Sequence, residues 1–234
     1  MAGETILVVD DDDDIREIIT MYLENEGFQV ISAFDGTQAL AYANSVNPDL
    51  IILDMMLPDL DGIEVCQELR KNQSTPIIFL SCKSTPTDKS IGLIAGGDDY
   101  MSKPFDAIEL LARVKAHLRR NRILESSNSL NTKSQLICYP GLTIDLNRYS
   151  VVVNGQNVIL SPKEFQLLEL LAQNPNTVFS NEQLFKSLWG TDSFGDHRTV
   201  MVHISNIRKK LKQDSKNPVF IQTIKGIGYK FCLV

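Results

Sequence analysis

Five side chains suited to phosphoryl chemistry lie in the first half of the chain, each at the C-terminal end of an apolar run. In chain order they are Asp10, Asp11, Asp54, Ser81 and Lys103. Ligands of an open parallel sheet bind in the crevice beyond the carboxyl ends of its strands. If the apolar runs are neighbouring strands, the carboxylates, the hydroxyl and the ammonium group share one pocket.

Three carboxylates in one small volume repel one another, and a divalent cation relieves that repulsion. Mg²⁺ is the expected cation because it prefers oxygen ligands and often takes a phosphate as a further ligand. With the cation in place, Asp54 can act as a nucleophile and form an aspartyl phosphate. Lys103 would offset the charge on the phosphoryl oxygens, to which the Ser81 hydroxyl would donate a hydrogen bond.

Simpler interpretations exist for parts of this pattern. Asp12, Asp13 and Asp14 are interpreted as acidic residues at the start of a helix, where carboxylates interact favourably with the helix dipole. A calcium loop is excluded because Ile15 stands where that loop needs glycine. Asp54 alone could be a helix cap. The joint presence of carboxylates, a hydroxyl and a lysine at successive strand ends favours the phosphoryl pocket.

The first half alternates strand and helix signals. Its apolar runs lie at residues 6–9, 30–33, 50–53, 77–80 and, more weakly, around 100–101. Amphipathic stretches with helical spacing separate them. Five strand–helix units with right-handed crossovers predict an α/β fold with a doubly wound, five-stranded parallel sheet, over residues 1–121.

A change of rhythm indicates a second, smaller α+β domain. The polar stretch ESSNSLNTKS (125–134) predicts a flexible linker over 122–136. Short antiparallel strands follow over 137–160, with an Asn154-Gly155 turn. Three helical segments and a hairpin around Lys225 then complete the predicted domain, residues 137–234; the segments are Ser161–Ala172, Ser180–Leu188 and Thr199–Leu211.

Charge is divided unevenly between the halves. Residues 1–121 hold 21 acidic and 10 basic side chains, and residues 122–234 hold 8 and 13, within a total of −6. A basic half suits a polyanion, although a solvated surface also explains it. No apolar run is long enough for a membrane helix and no secretion signal is visible, so we expect no membrane partner and a cytoplasmic location. The scattered cysteines and histidines give no support for a zinc site.

The stretch RTVMVHISNIRKKLK (198–212) predicts an amphipathic helix. Its apolar stripe consists of Val200, Ile204, Ile207 and Leu211. The expected opposite face holds Thr199, Val202, His203, Ser205, Asn206, Lys209 and Lys210. That polar, cationic face suits a DNA major groove, which admits one α-helix. An ordinary surface helix with basic residues near its C-terminus is the alternative.

The motifs ILVVDDDDDIR, PDLIILDMMLPDLDGIEV, PIIFLS and GGDDYMSKPF resemble those of response-regulator receiver domains, which are flavodoxin-like, over residues 4–121. The resemblance implies that Asp10, Asp11, Asp54 and the Met56 carbonyl hold Mg²⁺. It also implies that a sensor histidine kinase phosphorylates Asp54, that Ser81 and Tyr100 are switch residues beside Lys103, and that the peptide before Pro104 is cis. One departure is Cys82, where the family usually has alanine.

The resemblance further implies that phosphorylated receivers form a homodimer through salt bridges. The matching residues are Lys89, Asp98, Asp99, Glu109, Arg113 and Arg120. From the sequence alone, these are exposed charges on a helical surface, and single surface pairs contribute little. We nevertheless expect dimerisation after phosphorylation.

The motifs LSPKEFQLLELLAQNP, VFSNEQLFKSLWG, FGDHRTVMVHISNIRKKL and IQTIKGIGYKF resemble the winged-helix effector domain of OmpR/PhoB-class response regulators. The resemblance implies a transcription regulator whose Arg198–Leu211 helix reads the major groove of double-stranded promoter DNA. The expected DNA contacts are Arg198, Val202, His203, Asn206, Arg208, Thr223 and Lys225, with Val202, Asn206 and Arg208 nearest the bases. RNA polymerase is a further expected partner. Trp189 is expected in the core.

Two other functions use some of the same residues. A haloacid-dehalogenase-like phosphotransferase also uses an aspartate and Mg²⁺, but its nucleophile ends the first strand in a D-x-D-x-T/V pattern. In this chain Asp14 occupies the last position of that pattern, where threonine or valine is required. A constitutive DNA-binding protein with a degenerate receiver would lack an acidic residue or the lysine. Because all are present, a regulator that is not an enzyme is favoured.

Overall fold

The chain folds into two units, Met1–Ile123 and Leu124–Val234. The structure, a computed structural model, describes residues 3–82, 91–127, 136–189, 198–212 and 220–232, without the side chains of residues 119–127 and 198. In the first unit, five parallel strands form one sheet in the order β2-β1-β3-β4-β5. They are β1 (Thr5–Val9), β2 (Gln29–Ala33), β3 (Leu50–Asp54), β4 (Ile77–Ser81) and β5 (Asp99–Ser102).

Helices cover both faces of this sheet, because the strand residues alternate between two apolar clusters. Leu7, Ile51 and Phe79 pack with residues of α2 (Gly36–Val46) and α3 (Gly62–Leu69). Ile6, Ile52 and Leu80 pack instead with residues of α1 and α4. These two helices are α1 (Asp13–Asn25) and α4 (Ala107–Ser127). The predicted doubly wound sheet is therefore confirmed.

Helix α4 is longer than the sequence suggested. The sequence predicted residues 122–127 as the start of a flexible linker, but they belong to the helix, which ends at Ser127. Arg, Leu and Glu in this stretch are good helix formers, which offsets its polar composition. The remaining predicted linker residues, 128–135, lie outside the described residues, and the next strand begins at Leu136.

The second unit contains two antiparallel sheets. The strands β6 (Leu136–Tyr139), β7 (Leu142–Asp145), β8 (Ser150–Val153) and β9 (Gln156–Val158) pair in chain order. The other sheet has the order β10-β12-β11, with β10 (Phe179–Ser180), β11 (Ile221–Ile224) and β12 (Gly228–Phe231). Strand β10, only two residues long, was not predicted.

Three helices complete this unit: α5 (Pro162–Gln173), α6 (Asn181–Trp189) and α7 (Arg198–Lys210). Helix α5 starts with a capping box, in which the Glu164 carboxylate accepts the Ser161 N–H at 2.8 Å. Leu168, Ile204 and Phe231 bring α5, α7 and β12 into one buried cluster. This α+β arrangement positions α7 beside the β11–β12 hairpin.

Candidate functional site

The predicted acidic cluster forms at the carboxyl ends of β1 and β3. Oxygen atoms of Asp10, Asp11 and Asp54 all lie within 4.8 Å of one another. Asp10 and Asp54 are buried, whereas Asp11 is exposed. The cluster therefore has two carboxylates fixed by the sheet edge and one that faces solvent.

Lys103 neutralises the two buried carboxylates. Its ammonium nitrogen lies 2.6 Å from Asp10 Oδ2 and also forms an ion pair with Asp54 Oδ2. Burial raises the pKa of Asp10, and Lys103 partly offsets that effect. Burial alone would lower the pKa of Lys103, but hydrogen bonds to Asp10 and Asp54 raise it above its usual value. The lysine therefore stays charged beside the acids.

The carboxylate set fits a hard cation. Mg²⁺ binds carboxylate oxygens in this kind of small, all-oxygen cluster. The main chain of Met56 is also close, because its N–H donates to Asp54 Oδ1 at 3.0 Å. The three carboxylates predicted as ligands therefore lie together, and the Met56 side chain is 55% exposed.

The loop after Asp54 turns back tightly on its own strand. The Gly62 N–H donates to the Met55 carbonyl at 3.0 Å. A Cβ on Gly62 would lie 2.0 Å from the Asp54 carbonyl oxygen and 2.9 Å from Met55 Cα. Only glycine fits this close contact with the backbone at the end of β3.

Asp59 fixes the same loop to α2. Its carboxylate accepts the Gly36 N–H at 2.7 Å, the Thr37 N–H at 2.9 Å and the Thr37 hydroxyl at 2.7 Å. The hydrogen bond from the Thr37 side chain is the main reason why the pKa of Asp59 lies well below its usual value. No local pattern in the sequence identifies this residue, because its partners are more than twenty positions away.

The other predicted pocket residues lie on neighbouring strands. Ser81 is fully buried, and its carbonyl accepts the Lys103 N–H at 2.8 Å. Tyr100 is 8% exposed and pairs with Phe79 across β4 and β5. The peptide between Lys103 and Pro104 is cis, as the resemblance implied.

The predicted dimer charges do not form an exposed row. Asp98 is fully buried, and its Oδ2 accepts from Arg70 Nη2 at 2.8 Å and from the Ile77 N–H at 3.0 Å. Asp99 is also buried, and both of its oxygens lie 2.8 Å from Arg113 Nη1. The expectation that these aspartates are exposed was wrong, because arginines of the same unit pair with them.

Glu109 is more exposed than its partner Arg113. It lies 2.6 Å from Arg113 Nη2, one helical turn away. Lys89 lies outside the described residues, and Arg120 belongs to α4 in a stretch without described side chains. His117, a residue that was not singled out, adds its Nε2 at 3.5 Å from Asp99 Oδ2.

The exposed face of α7 differs from the predicted one. The apolar stripe is confirmed, since Val200, Ile204, Ile207 and Leu211 are all buried. His203 and Asn206, however, are also buried, so their placement on the exposed face was wrong. The His203 ring lies 5.5 Å from the Trp189 ring, so it packs towards the core of this unit. The exposed residues of α7 are Met201, Ser205 and Lys209, and Lys212 is exposed just after the helix ends.

The remaining DNA-contact candidates lie on α7 and on the β11–β12 hairpin. Thr223 and Lys225 are exposed on the β11–β12 hairpin, and Val202 is half-buried. Arg208 is half-buried and hydrogen-bonds to β11 of its own unit. Arg198 begins α7, but its side chain lies outside the described set.

Comparisons with known proteins agree with both units. Residues 6–115 match the family model "Response regulator receiver domain". Residues 155–231 match the model "Transcriptional regulatory protein, C terminal". The chain belongs to the OmpR/PhoB class of response regulators.

Relatives of this response regulator match it over nearly its whole length. It is 40% identical to the DNA-binding response regulator MtrA of Mycobacterium tuberculosis, over 97% of this chain and 96% of MtrA. It is 43% identical to the transcriptional regulatory protein SrrA of Staphylococcus aureus, over 99% of this chain and 96% of SrrA. The crystal structure of the response regulator DrrB, a Thermotoga maritima OmpR/PhoB homologue, covers 98% of this chain and 99% of DrrB, with a TM-score of 0.51 and 33% identity.

Family membership establishes phosphorylation-dependent regulation of transcription, with a histidine kinase and DNA as the classes of partner. The acidic cluster of Asp10, Asp11 and Asp54 is suited to a metal ion. None of the helices in the described parts of the chain combines the length and the apolar composition that a membrane span requires.

Proposed function

We propose that Asp54 accepts the phosphoryl group from the phosphohistidine of a sensor histidine kinase. A carboxylate oxygen of Asp54 forms the new P–O bond, and the histidine nitrogen of the donor leaves with the electron pair of the broken P–N bond. The observation that carries this proposal is the ion pairing of Lys103 with both Asp10 and Asp54. A lysine already held at the nucleophile is positioned to contact the phosphoryl oxygens as charge develops on them.

Mg²⁺ is the proposed cofactor, held by Asp10, Asp11, Asp54 and the Met56 carbonyl. When bound, it would offset the charges of the carboxylates and of the phosphoryl oxygens. Asp10 and Asp54 are fixed by the sheet, and the exposed Asp11 gives the site access to solvent. The Ser81 hydroxyl would donate a hydrogen bond to the phosphoryl group and move towards it. Tyr100, on the neighbouring strand β5, would then move into the space that Ser81 leaves.

Phosphorylation adds about −1.5 to −2 charges next to Lys103. We propose that the change reaches the surface of β5 and α4 and promotes formation of a homodimer. Glu109 and Arg113 remain candidates for pairing across that interface, together with Lys89 and Arg120. Asp98 and Asp99 would act from inside the unit, through the arginines that they hold.

Promoter DNA is the proposed ligand of the second unit, and RNA polymerase is a proposed partner at the promoter. Met201, Val202, Ser205 and Lys209 form the accessible side of α7, and Lys212 is exposed just after its C-terminal end. On the hairpin, Thr223 and Lys225 are exposed. Lysines on this side would neutralise backbone phosphates, and the shorter side chains would lie near base edges. We place the regulator in the cytoplasm, where the kinase domain and DNA meet.

The central test is chemical labelling of the full chain. Wild type incubated with acetyl phosphate and Mg²⁺ should gain the mass of one phosphoryl group, located on Asp54 by peptide mass spectrometry. Asp54→Asn should gain none, whereas Asp14→Asn, a control at an exposed acidic position, should label as wild type does. Labelling of Asp54→Asn at the wild-type level would refute the assignment.

Two further measurements separate the alternatives. Sedimentation of the labelled protein should show a dimer, and a monomer after full labelling would count against the proposed interface. Catalytic turnover of a phosphorylated metabolite, instead of labelling at one group per chain, would favour an enzyme. We infer that the chain is a regulator and not an enzyme.

A further inference from the structure

Arg208 joins α7 to the β11–β12 hairpin. Its Nε and Nη2 atoms lie 3.2 Å and 2.9 Å from the Ile221 carbonyl oxygen, and Nη2 lies 2.8 Å from Thr223 Oγ1. Its guanidinium carbon also lies 5.6 Å from the centre of the Tyr229 ring. One side chain of α7 thus contacts both strands of the β11–β12 hairpin.

The geometry of these contacts requires arginine. Two donors converge on one carbonyl oxygen while the second also reaches a hydroxyl, which a planar fork achieves and a single ammonium group does not. Thr223 and Tyr229 are paired residues of β11 and β12, so the guanidinium contacts both members of one cross-strand pair as well as the Ile221 carbonyl two residues earlier in β11. Burial lowers the pKa of Arg208, while the nearby Tyr229 works in the opposite direction.

The position of Arg208 on α7 gives these contacts their importance. Ser205 and Lys209 are exposed on the accessible side of α7, and Lys225 is exposed at the hairpin tip. A protein that contacts DNA through both elements must hold them at one fixed separation and angle, because a small misplacement loses one set of contacts.

We infer that Arg208 is a positioning residue for DNA recognition, which holds the β11–β12 hairpin at the angle to α7 that lets both elements contact DNA together. This inference rests on the proposed DNA-binding function. It replaces the direct base contact that the sequence suggested for Arg208, because the Nε and Nη2 donors hold the side chain against the hairpin of its own unit.

The test compares full-length variants on one duplex, selected from a random-sequence library by the wild-type protein. Arg208→Lys keeps the charge but removes the fork, and we expect affinity to fall about tenfold, as for the loss of one or two hydrogen bonds. A direct phosphate contact would instead tolerate lysine, which binds phosphate as a point charge. Wild-type affinity of Arg208→Lys would therefore overturn the inference.

A double-mutant cycle identifies the route of the effect. If Arg208 acts through the hairpin, Arg208→Lys should cost much less in a Lys225→Ala background, where the hairpin contact is already lost. Lys209→Ala is the matched control on the same helix, and its loss should be equally large with or without Lys225→Ala. Additivity of Arg208→Lys with Lys225→Ala, or a relaxed preference at one base pair of the duplex, would refute a positioning role.

A second variant guards against a folding defect. Thr223→Val removes the hairpin hydroxyl that accepts a hydrogen bond from Arg208. Alone it should lower DNA affinity, but combined with Arg208→Lys it should cause no further loss. Fluorescence of Trp189, the single tryptophan of the chain, should show that the second unit of both variants unfolds at the same temperature as in wild type. If Lys209→Ala leaves both affinity and its salt dependence unchanged, the proposed DNA interface fails, whatever Arg208 does.

Discussion

The Thr37 hydroxyl donates a hydrogen bond of 2.7 Å to Asp59, which lies in the loop after the proposed phosphoacceptor. The same carboxylate accepts the first N–H groups of α2, so three hydrogen bonds join the loop to the start of the helix. Met56, the proposed main-chain ligand, lies in this loop. Its carbonyl therefore has a fixed position only as long as Asp59 is held.

Thr37→Val should weaken Mg²⁺ binding. The substitution removes the side-chain donor and keeps the size of the side chain, and we expect a loss of roughly tenfold or less in affinity, as for residues that support metal ligands. Isothermal titration of Mg²⁺ into the full chain measures it. Thr20→Val, a half-buried position on α1 whose hydroxyl lies 3.5 Å from Ser32 Oγ, is the control and should bind as wild type does. Equal affinities of the two variants would show that Asp59 has no part in placing the ligand loop.

Asp99 should make the first unit sensitive to acid. Burial alone would raise the pKa of Asp99, but His117 and Arg113 together hold it well below its usual value. A carboxyl group with a depressed folded pKa contributes stability above its unfolded value of about 3.9, and this contribution is lost as the pH falls further. Urea midpoints measured from about pH 5 down to about pH 3 should fall less steeply for Asp99→Asn than for wild type. Asp14→Asn should keep the wild-type slope; a wild-type slope in Asp99→Asn would contradict the expectation.

Arg70→Met should strongly destabilise the first unit. Arg70 and Asp98 are almost fully buried and 2.8 Å apart, so the substitution removes the cation that neutralises a buried carboxylate. Breaking a buried pair in this way costs about 3–5 kcal/mol. Chemical denaturation followed by circular dichroism gives the value. Lys71→Met removes an exposed pair in the next position and should cost less than about 1 kcal/mol; a similar value for both would mean that the buried pair is not structural.

Lys210→Met should destabilise the second unit by a smaller amount. Lys210 Nζ lies 2.6 Å from Glu164 Oε2, but its side chain remains 29% exposed, so water already screens the pair. We expect a loss of about 1–3 kcal/mol, below the value for a fully buried pair. Trp189 fluorescence during urea unfolding follows this unit alone. Lys186→Met, which breaks an exposed pair within α6, is the control; a larger loss there would contradict the role of Glu164.

Much of the site was predictable because it depends on strand ends. Asp10, Asp54 and Lys103 follow apolar runs, and a parallel sheet places such residues at one edge whatever the details of packing. The helix start at Asp12 was equally local, since its side chain caps two N–H groups within three residues. Predictions of this kind need only the order of the strands.

Predictions that required knowledge of burial were less accurate. Helical periodicity placed His203 and Asn206 opposite the apolar stripe, but a helix that packs on two sides buries a wider arc than the stripe alone. Asp98 was taken as a surface charge because nothing near it in sequence reveals Arg70, twenty-eight positions earlier. Asp59 was missed for the same reason. Contacts between distant segments depend on tertiary packing, which one sequence does not display.

Gly62 carries no reactive group, yet the acceptor strand depends on it. Every codon change that replaces this glycine adds a carbon atom where the Asp54 carbonyl oxygen already lies. A genetic screen for cells that no longer respond to the stimulus should therefore recover substitutions of Gly62 as well as substitutions of Asp54. Such variants would fail to respond in the same way as Asp54 variants, although the cause is a steric clash and not the loss of a reactive group.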